Sequence, residues 1–213
     1  MIKLSKTSKL DGILSWSLQA LETCPGSRSD DGGLVPACQG CYATTGNYRF
    51  ANVKAPREFN REDWKREDWV SDMVQALDSS RYFRWFDSGD MYDIRLAEKI
   101  LQVMALTPHC KHWLPTRMHK FAKFREVIAS MQTLDNVVVR FSSDSVTGEV
   151  IEGLNTSTIF SDTVPENAFE CKAYQHEGKC NGCRACYDKS VSVIAYKAHG
   201  VKMAKVIKIV AMQ

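Results

Sequence analysis

The sequence predicts an α/β fold: one mostly parallel sheet curled into a partial (β/α) barrel that resembles a truncated TIM barrel, with a C-terminal cysteine-rich cluster loop. Three observations predict it. Short runs of β-branched and aromatic residues alternate with longer stretches whose apolar residues recur at helical spacing, the pattern of parallel strands joined by helical crossovers. Chemistry-bearing residues follow several of those runs directly, where parallel α/β folds gather their ligands. The chain has 213 residues, short of the roughly 250 of an eight-fold barrel, so five or six units fit better. One domain over residues 1–213 is expected, with βα units over 12–160, the cysteine loop over 161–190, and a terminal strand and tail over 191–213.

Residues 1–11 are polar and basic without periodicity. Residues 13–20 alternate loosely and read as the first strand. A loop with four glycines and two prolines follows, too rich in breakers to be a helix or a central strand. It carries Cys24, Cys38 and Cys41. From Glu58 the pattern turns helical, and Trp69, Val70, Met73, Val74 and Leu77 share one face. The aromatic run 82–86 reads as a strand ending at Asp87, Ser88, Gly89 and Asp90. Ile94, Ala97, Ile100, Leu101 and Met104 make a second amphipathic helix. Residues 111–115 form a short strand ending at Thr116 and Arg117, and residues 118–131 a third helix. Residues 137–141 are a β-branched strand ending at Ser142, Ser143 and Asp144. Further strands fall near 158–160 and over 191–196, and the apolar, basic tail fits either class.

The most informative spacing is Cys171-x8-Cys180-x2-Cys183-x2-Cys186. Three thiols at successive x2 steps converge from one loop, with backbone N–H groups turned to the same point. That arrangement suits the face of a [4Fe–4S] cluster. Structural zinc more often takes two separated C-x2-C pairs, so zinc is the alternative. Gly182 removes bulk inside the loop, and Gly178 frees the backbone before it. Lys179 and Arg184 can offset the cluster's negative charge. The N-terminal triad adds a second group with a loose x13 gap, so one cluster or two can be accommodated, and a single cluster with spare thiols also fits. Cys110 beside His109 and His112 mimics a metal site, but its place just before a strand suits a buried thiol. His176 could replace one cysteine ligand.

Asp87, Ser88, Asp90, Arg117 and Asp144 are the pocket candidates. A carboxylate there would hold a ribose or an amine, and Arg117 would pair with a carboxylate or phosphate. Net charge is +3, too small to argue for nucleic acid alone. No apolar run approaches the roughly 20 residues of a membrane span, and no secretory leader is visible. Eight cysteines without export point to thiolates in a reducing compartment, so a cytoplasmic location is expected. A chain of this size buries roughly 70% of its unfolded surface, so metal is not needed to build its core.

Two stretches carry a resemblance. LETCPG at 21–26, CQGCYA at 38–43 and YRF at 48–50 go with KCNGCRACYD at 179–188. RWFDSGD at 84–90 and VRFSSD at 139–144 add to them. Together they resemble the gene-product-88 family of tailed phages, over about residues 8–199. That resemblance implies a phage source and a host-cytoplasmic protein, in a family without a settled activity. The chain is more loosely similar to radical S-adenosylmethionine enzymes, which hold three cysteines after the first barrel strand. That likeness implies a [4Fe–4S] cluster on Cys24, Cys38 and Cys41 with one iron open to S-adenosylmethionine, and an auxiliary cluster on the C-terminal loop. Three features depart from it: x13 replaces x3 between the first two cysteines, Tyr42 follows the last cysteine instead of preceding it, and Ser88, Gly89 and Asp90 replace the usual glycine-rich motif after the second strand. The catalytic residues and the substrate are left open. A non-enzymatic reading also stands, in which zinc or iron–sulfur stiffens loops that dock a host protein. Docking of nucleic acid has weaker support, since residues 57–69 mix both charges with aromatics.

Overall fold

The computed structural model describes residues 2–212. It contains one eight-stranded sheet: β1 (Ser5–Thr7), β2 (Ile13–Trp16), β3 (Tyr82–Trp85), β4 (Lys111–Thr116), β5 (Val137–Ser142), β6 (Thr156–Phe160), β7 (Phe169–Cys171) and β8 (Val193–Lys197). The spatial order is β1-β2-β3-β4-β5-β6-β8-β7. Every neighbouring pair is parallel except β1 with β2. The helices are α1 (Pro36–Gln39), α2 (Ala51–Asp63), α3 (Trp69–Ala76), α4 (Ile94–Leu106), α5 (Arg125–Thr133) and α6 (Val201–Val210).

The α/β class and the parallel sheet stand as expected, but the sheet does not close. β1 and β7 each have a single neighbour. β1 runs antiparallel along one margin, and the three-residue β7 extends the other beyond β8. Both strands are too short to announce themselves by periodicity. The first full strand ends at Trp16 rather than at residue 20. Helix α2 begins at Ala51, earlier than Glu58, with Pro56 inside it; the proline disguised its first turns as loop. The tail is helical, and its Met203 and Val206 pack with Ala37 and Val146.

Side chains on a strand point alternately to the two faces. Trp16, Phe83, Trp85, Leu114, Val137, Val139 and Phe141 meet the helices in one core with Trp69, Met73, Ile100, Val103 and Met131. Trp16 sits edge-on to Trp69 at 5.4 Å between ring centres, so these tryptophans are core residues. Asp93 caps α4, accepting the Arg95 N–H at 2.9 Å. The period of two sends Ser15, Arg84, Trp113, Arg140 and Tyr196 to the other face, which among the described residues carries the short 3-10 turn Ala185–Tyr187 instead of a layer of α-helices. Cys171 pairs with Tyr196 in register and joins that face.

That face is concave. β2 and β8 lie five strands apart, roughly 24 Å in a flat sheet at the usual strand spacing. Yet the Lys9 ammonium, in the turn leading to β2, lies 5.7 Å from the Tyr196 ring centre on β8. The loop between β7 and β8 bridges the same gap: the Cys180 N–H donates to the Lys9 carbonyl at 2.8 Å.

Candidate functional site: two groups of thiols

Seven of the eight cysteines fall into two groups. Cys24, Cys38 and Cys41 lie in the loops after β2, at the carboxyl end of the sheet. Asp87, Ser88 and Asp90 follow β3, Arg117 follows β4 and Asp144 follows β5, so the pocket candidates reach the same rim. Burial raises all three thiols above the usual cysteine range, Cys24 to about 12, with the Asp90 charge as a further cause.

The charged groups of this rim are engaged with one another. Asp87 accepts from Arg84 at 2.9 Å and from the Tyr48 hydroxyl, and its N–H donates to Ser17 Oγ. Ser88 accepts from Arg57 Nε at 2.6 Å and donates to the Leu18 carbonyl. Asp90 accepts from Thr116 Oγ1 and from the N–H groups of Met91 and Arg117, at 2.8 to 2.9 Å. Burial nevertheless pushes its carboxyl up to about 6. Arg117 donates to Asp144 and to the Ser143 carbonyl, and Lys120 also reaches Asp144. Gly89 is left-handed (φ +83°), and a Cβ there would stand 2.6 Å from Leu18 Cβ and 2.7 Å from Thr23 Oγ1. The rim is tightly packed and its carboxylates are all paired; His119 Nδ1, beside Arg117 and Lys120, has no partner among the described residues.

The second group lies on the concave face. Cys171 ends β7, and the 172–192 segment brings Cys180, Cys183 and Cys186 toward it. Burial raises Cys180 to about 11, with the charge of Cys171 next in importance. Burial also raises Cys186, which lies within hydrogen-bonding distance of the Tyr196 hydroxyl at 3.4 Å. Cys183 is exposed. Among the described residues, no three His, Cys, Asp or Glu side chains converge tightly enough to clasp a metal ion as they stand. The thiols are close enough to feel one another's charge, and four of them on one loop and its flanking strand make a suitable soft donor set.

The loop holds its path without help from the thiols. Arg140, fully buried in the middle of β5, donates to the carbonyls of Ala185, Cys186, Asp188 and Val191 at 2.8 to 3.0 Å. Asp11 accepts from the Gly182 N–H and from Arg184, so Arg184 is paired with a carboxylate. Gly182 has φ +80°, and a Cβ there would meet nothing within 4 Å; its role is backbone conformation, not relief of bulk. Cys180 and Cys186 pack against Leu10, Trp113 and Tyr187.

Cys110 is buried in the helix-side core with His112. The His112 ring takes Trp85 Nε1 at 3.2 Å and Thr107 Oγ1 at 2.9 Å, and burial lowers its pKa to about 4. His109 bonds the Leu77 carbonyl, and His176 is exposed. Among the described residues, no helix is long and apolar enough to cross a membrane.

Fold and site together describe an α/β protein with an open parallel sheet and two thiol groups, one at the carboxyl rim and one on the concave face. The chain belongs to the gene product 88 family, whose model matches residues 1–205. No curated protein and no solved structure matches it significantly. Arg140, Trp113 and Tyr196 escaped the sequence reading of the site. A visible signal existed for Arg140, a charge inside a run of valines.

Proposed function

We propose that this protein is an iron–sulfur protein on a partial-barrel-like scaffold, and that Cys171, Cys180, Cys183 and Cys186 are its principal cluster ligands. One observation carries the reading. Cys180 and Cys186 pack on the concave face, with Cys171 and Cys183 near enough for their charges to act on Cys180, beside buried polar groups without partners among the described residues, while the lone Cys110 stays in the hydrophobic core. Four thiolates close a [4Fe–4S] site and supply electron storage when the cluster is bound. The protein's own residues set the loop path through Arg140, shield the thiols with Trp113, Tyr187 and Leu10, and place Tyr196 against Cys186. Each thiol must lose its proton on binding, so loading is easier at higher pH.

Cys24, Cys38 and Cys41 are three thiols without a fourth, the set that would leave one iron open. In that enzymatic form the open iron would take S-adenosylmethionine. The test is protein purified without oxygen, assayed for visible absorption, metal and acid-labile sulfide. A brown protein with iron and sulfide in equal amounts supports the cluster. A colourless protein with stoichiometric zinc and no sulfide overturns it in favour of a zinc-stabilised binding module. Calorimetry with S-adenosylmethionine tests the enzymatic form, which fails if the loaded protein does not bind it.

A further inference from the structure

Among the described residues, four buried donors on the concave face lack acceptors; Ser157 Oγ on β6 is one, and the other three are neighbours beside the thiols. Arg84 Nε, Trp113 Nε1 and the Tyr187 hydroxyl have no hydrogen-bond partner among the described residues, on residues only 8%, 4% and 7% exposed. Leaving such a group unpaired in a buried place is unfavourable, more so for a charged one. The Trp16 and Trp69 indoles of the helix-side core are unpartnered as well, so what distinguishes the concave face is that three such groups adjoin one another and the thiols. The three are neighbours. The Arg84 guanidinium lies 4.5 Å from the Trp113 ring centre, and Trp113 meets Tyr187 edge-on at 5.8 Å. Arg84 uses another nitrogen for Asp87, so its charge is already paired while Nε stays free.

These donors border the thiols. Cys180 and Cys186 pack against Trp113 and Tyr187. A thiolate-bound cluster carries acceptor sulfurs that need donors, and donors to sulfur set its reduction potential. The loop's backbone does not provide all of them: the N–H groups of Cys180, Gly182 and Cys183 are engaged by Lys9, Asp11 and the Cys180 carbonyl. Side chains on the neighbouring strands and loop are left to do so.

We propose that Arg84, Trp113 and Tyr187 are positioning donors to the sulfur atoms of the cluster held by Cys171, Cys180, Cys183 and Cys186. The proposal rests on the cluster reading above. Trp113 and Tyr187 then set how readily the cluster accepts an electron, because each donor stabilises the more negative, reduced form.

The test uses the full chain, reconstituted anaerobically with iron and sulfide. Potentiometric titration with dithionite compares wild type with Trp113→Phe, Tyr187→Phe and the double variant. Trp69→Phe, in the helix-side core, is the control. Tyr187→Phe removes only an oxygen and preserves packing, so it carries the test even if Trp113→Phe folds poorly. The expected result is unchanged iron content, a more negative midpoint in Tyr187→Phe and Trp113→Phe, a larger shift in the double variant, and no shift in the control. Loading should also quench a part of the tryptophan emission that Trp113→Phe lacks. A loaded Tyr187→Phe protein with wild-type potential and undisturbed Trp113 emission overturns this proposal alone, the donors then being met by water. Wild type that takes up no iron overturns the cluster reading, and this proposal with it.

Discussion

The two thiol groups differ in what surrounds them. Around Cys24, Cys38 and Cys41, every pocket candidate is paired: Asp87 with Arg84 and Tyr48, Asp90 with Thr116 and Arg117, Asp144 with Arg117 and Lys120. Around Cys171, Cys180, Cys183 and Cys186, a guanidinium nitrogen, an indole and a phenol have no partner among the described residues. Buried polar groups are normally satisfied, and at the rim the carboxylates and arginines satisfy one another, leaving His119 Nδ1 as the unpartnered atom beside them among the described residues. On the concave face the unpartnered donors are neighbours and adjoin thiols, unlike the unpartnered Trp16 and Trp69 indoles of the core. Clustered carboxylates and arginines after strand ends are therefore a weaker sign of a ligand than unpaired donors.

The largest expected effect tests what holds the C-terminal loop. Arg140→Met removes the donor to four part-buried carbonyls, of which the Val191 carbonyl keeps Asn155. The expected loss is on the order of 4 kcal/mol, read as a lower midpoint in urea and as loss of protection of the 172–192 segment in hydrogen exchange. Unchanged stability would mean that the loop depends on its thiols after all.

Glycine substitutions sharpen the contrast between packed rim and open loop. Gly89→Ala meets both a left-handed backbone and a collision with Leu18 and Thr23, and should cost about 3 kcal/mol. Gly182→Ala meets the backbone cost with open space around it, about 1 kcal/mol. Equal losses in thermal unfolding would erase the distinction.

The rim also carries a pH signature. Burial holds Asp90 at about 6 in the folded chain, against roughly 3.9 unfolded. The folded state binds the extra proton, so this carboxyl's contribution to stability falls as pH rises from about 4 to about 6 and is flat beyond. Buried His112, lowered to about 4, acts in the opposite sense over an overlapping range, because the unfolded chain binds the proton there. The two partly cancel in the wild type. Asp90→Asn should uncover the His112 slope, stability falling as the solution is acidified from about pH 6 to 4, by roughly 1–2 kcal/mol more than in wild type. Parallel urea-denaturation curves for the two proteins across that range would show the assignment to be wrong.

Much of the fold was legible. The aromatic run of β3, the valines of β5 and the helical face of α4 each show their period plainly. What was hidden has physical reasons. β1 and β7 are three residues long, too short for alternation to register. Whether a parallel sheet closes depends on which strands take its edges, and local pattern does not encode that. The thiol groups were legible from spacing alone, and so was the placing of the pocket candidates after strands. Their pairing with one another was not, because it joins residues far apart in the chain. Arg84 and Arg140, each a charge inside an otherwise apolar strand, were the readable clue to the polar concave face.

The smallest effect on stability accompanies the most direct test. Cys183 is exposed and the loop is anchored by Arg140 and Asp11, so Cys183→Ala should leave the metal-free protein within about 0.5 kcal/mol of wild type. Its iron and sulfide content after anaerobic reconstitution, set beside that of wild type and Cys41→Ala, tests the central claim. The account predicts that wild type holds about four irons and four sulfides for the C-terminal loop, that Cys183→Ala loses them, and that Cys41→Ala keeps them. Wild type without sulfide, or Cys183→Ala with the full wild-type complement, would contradict it.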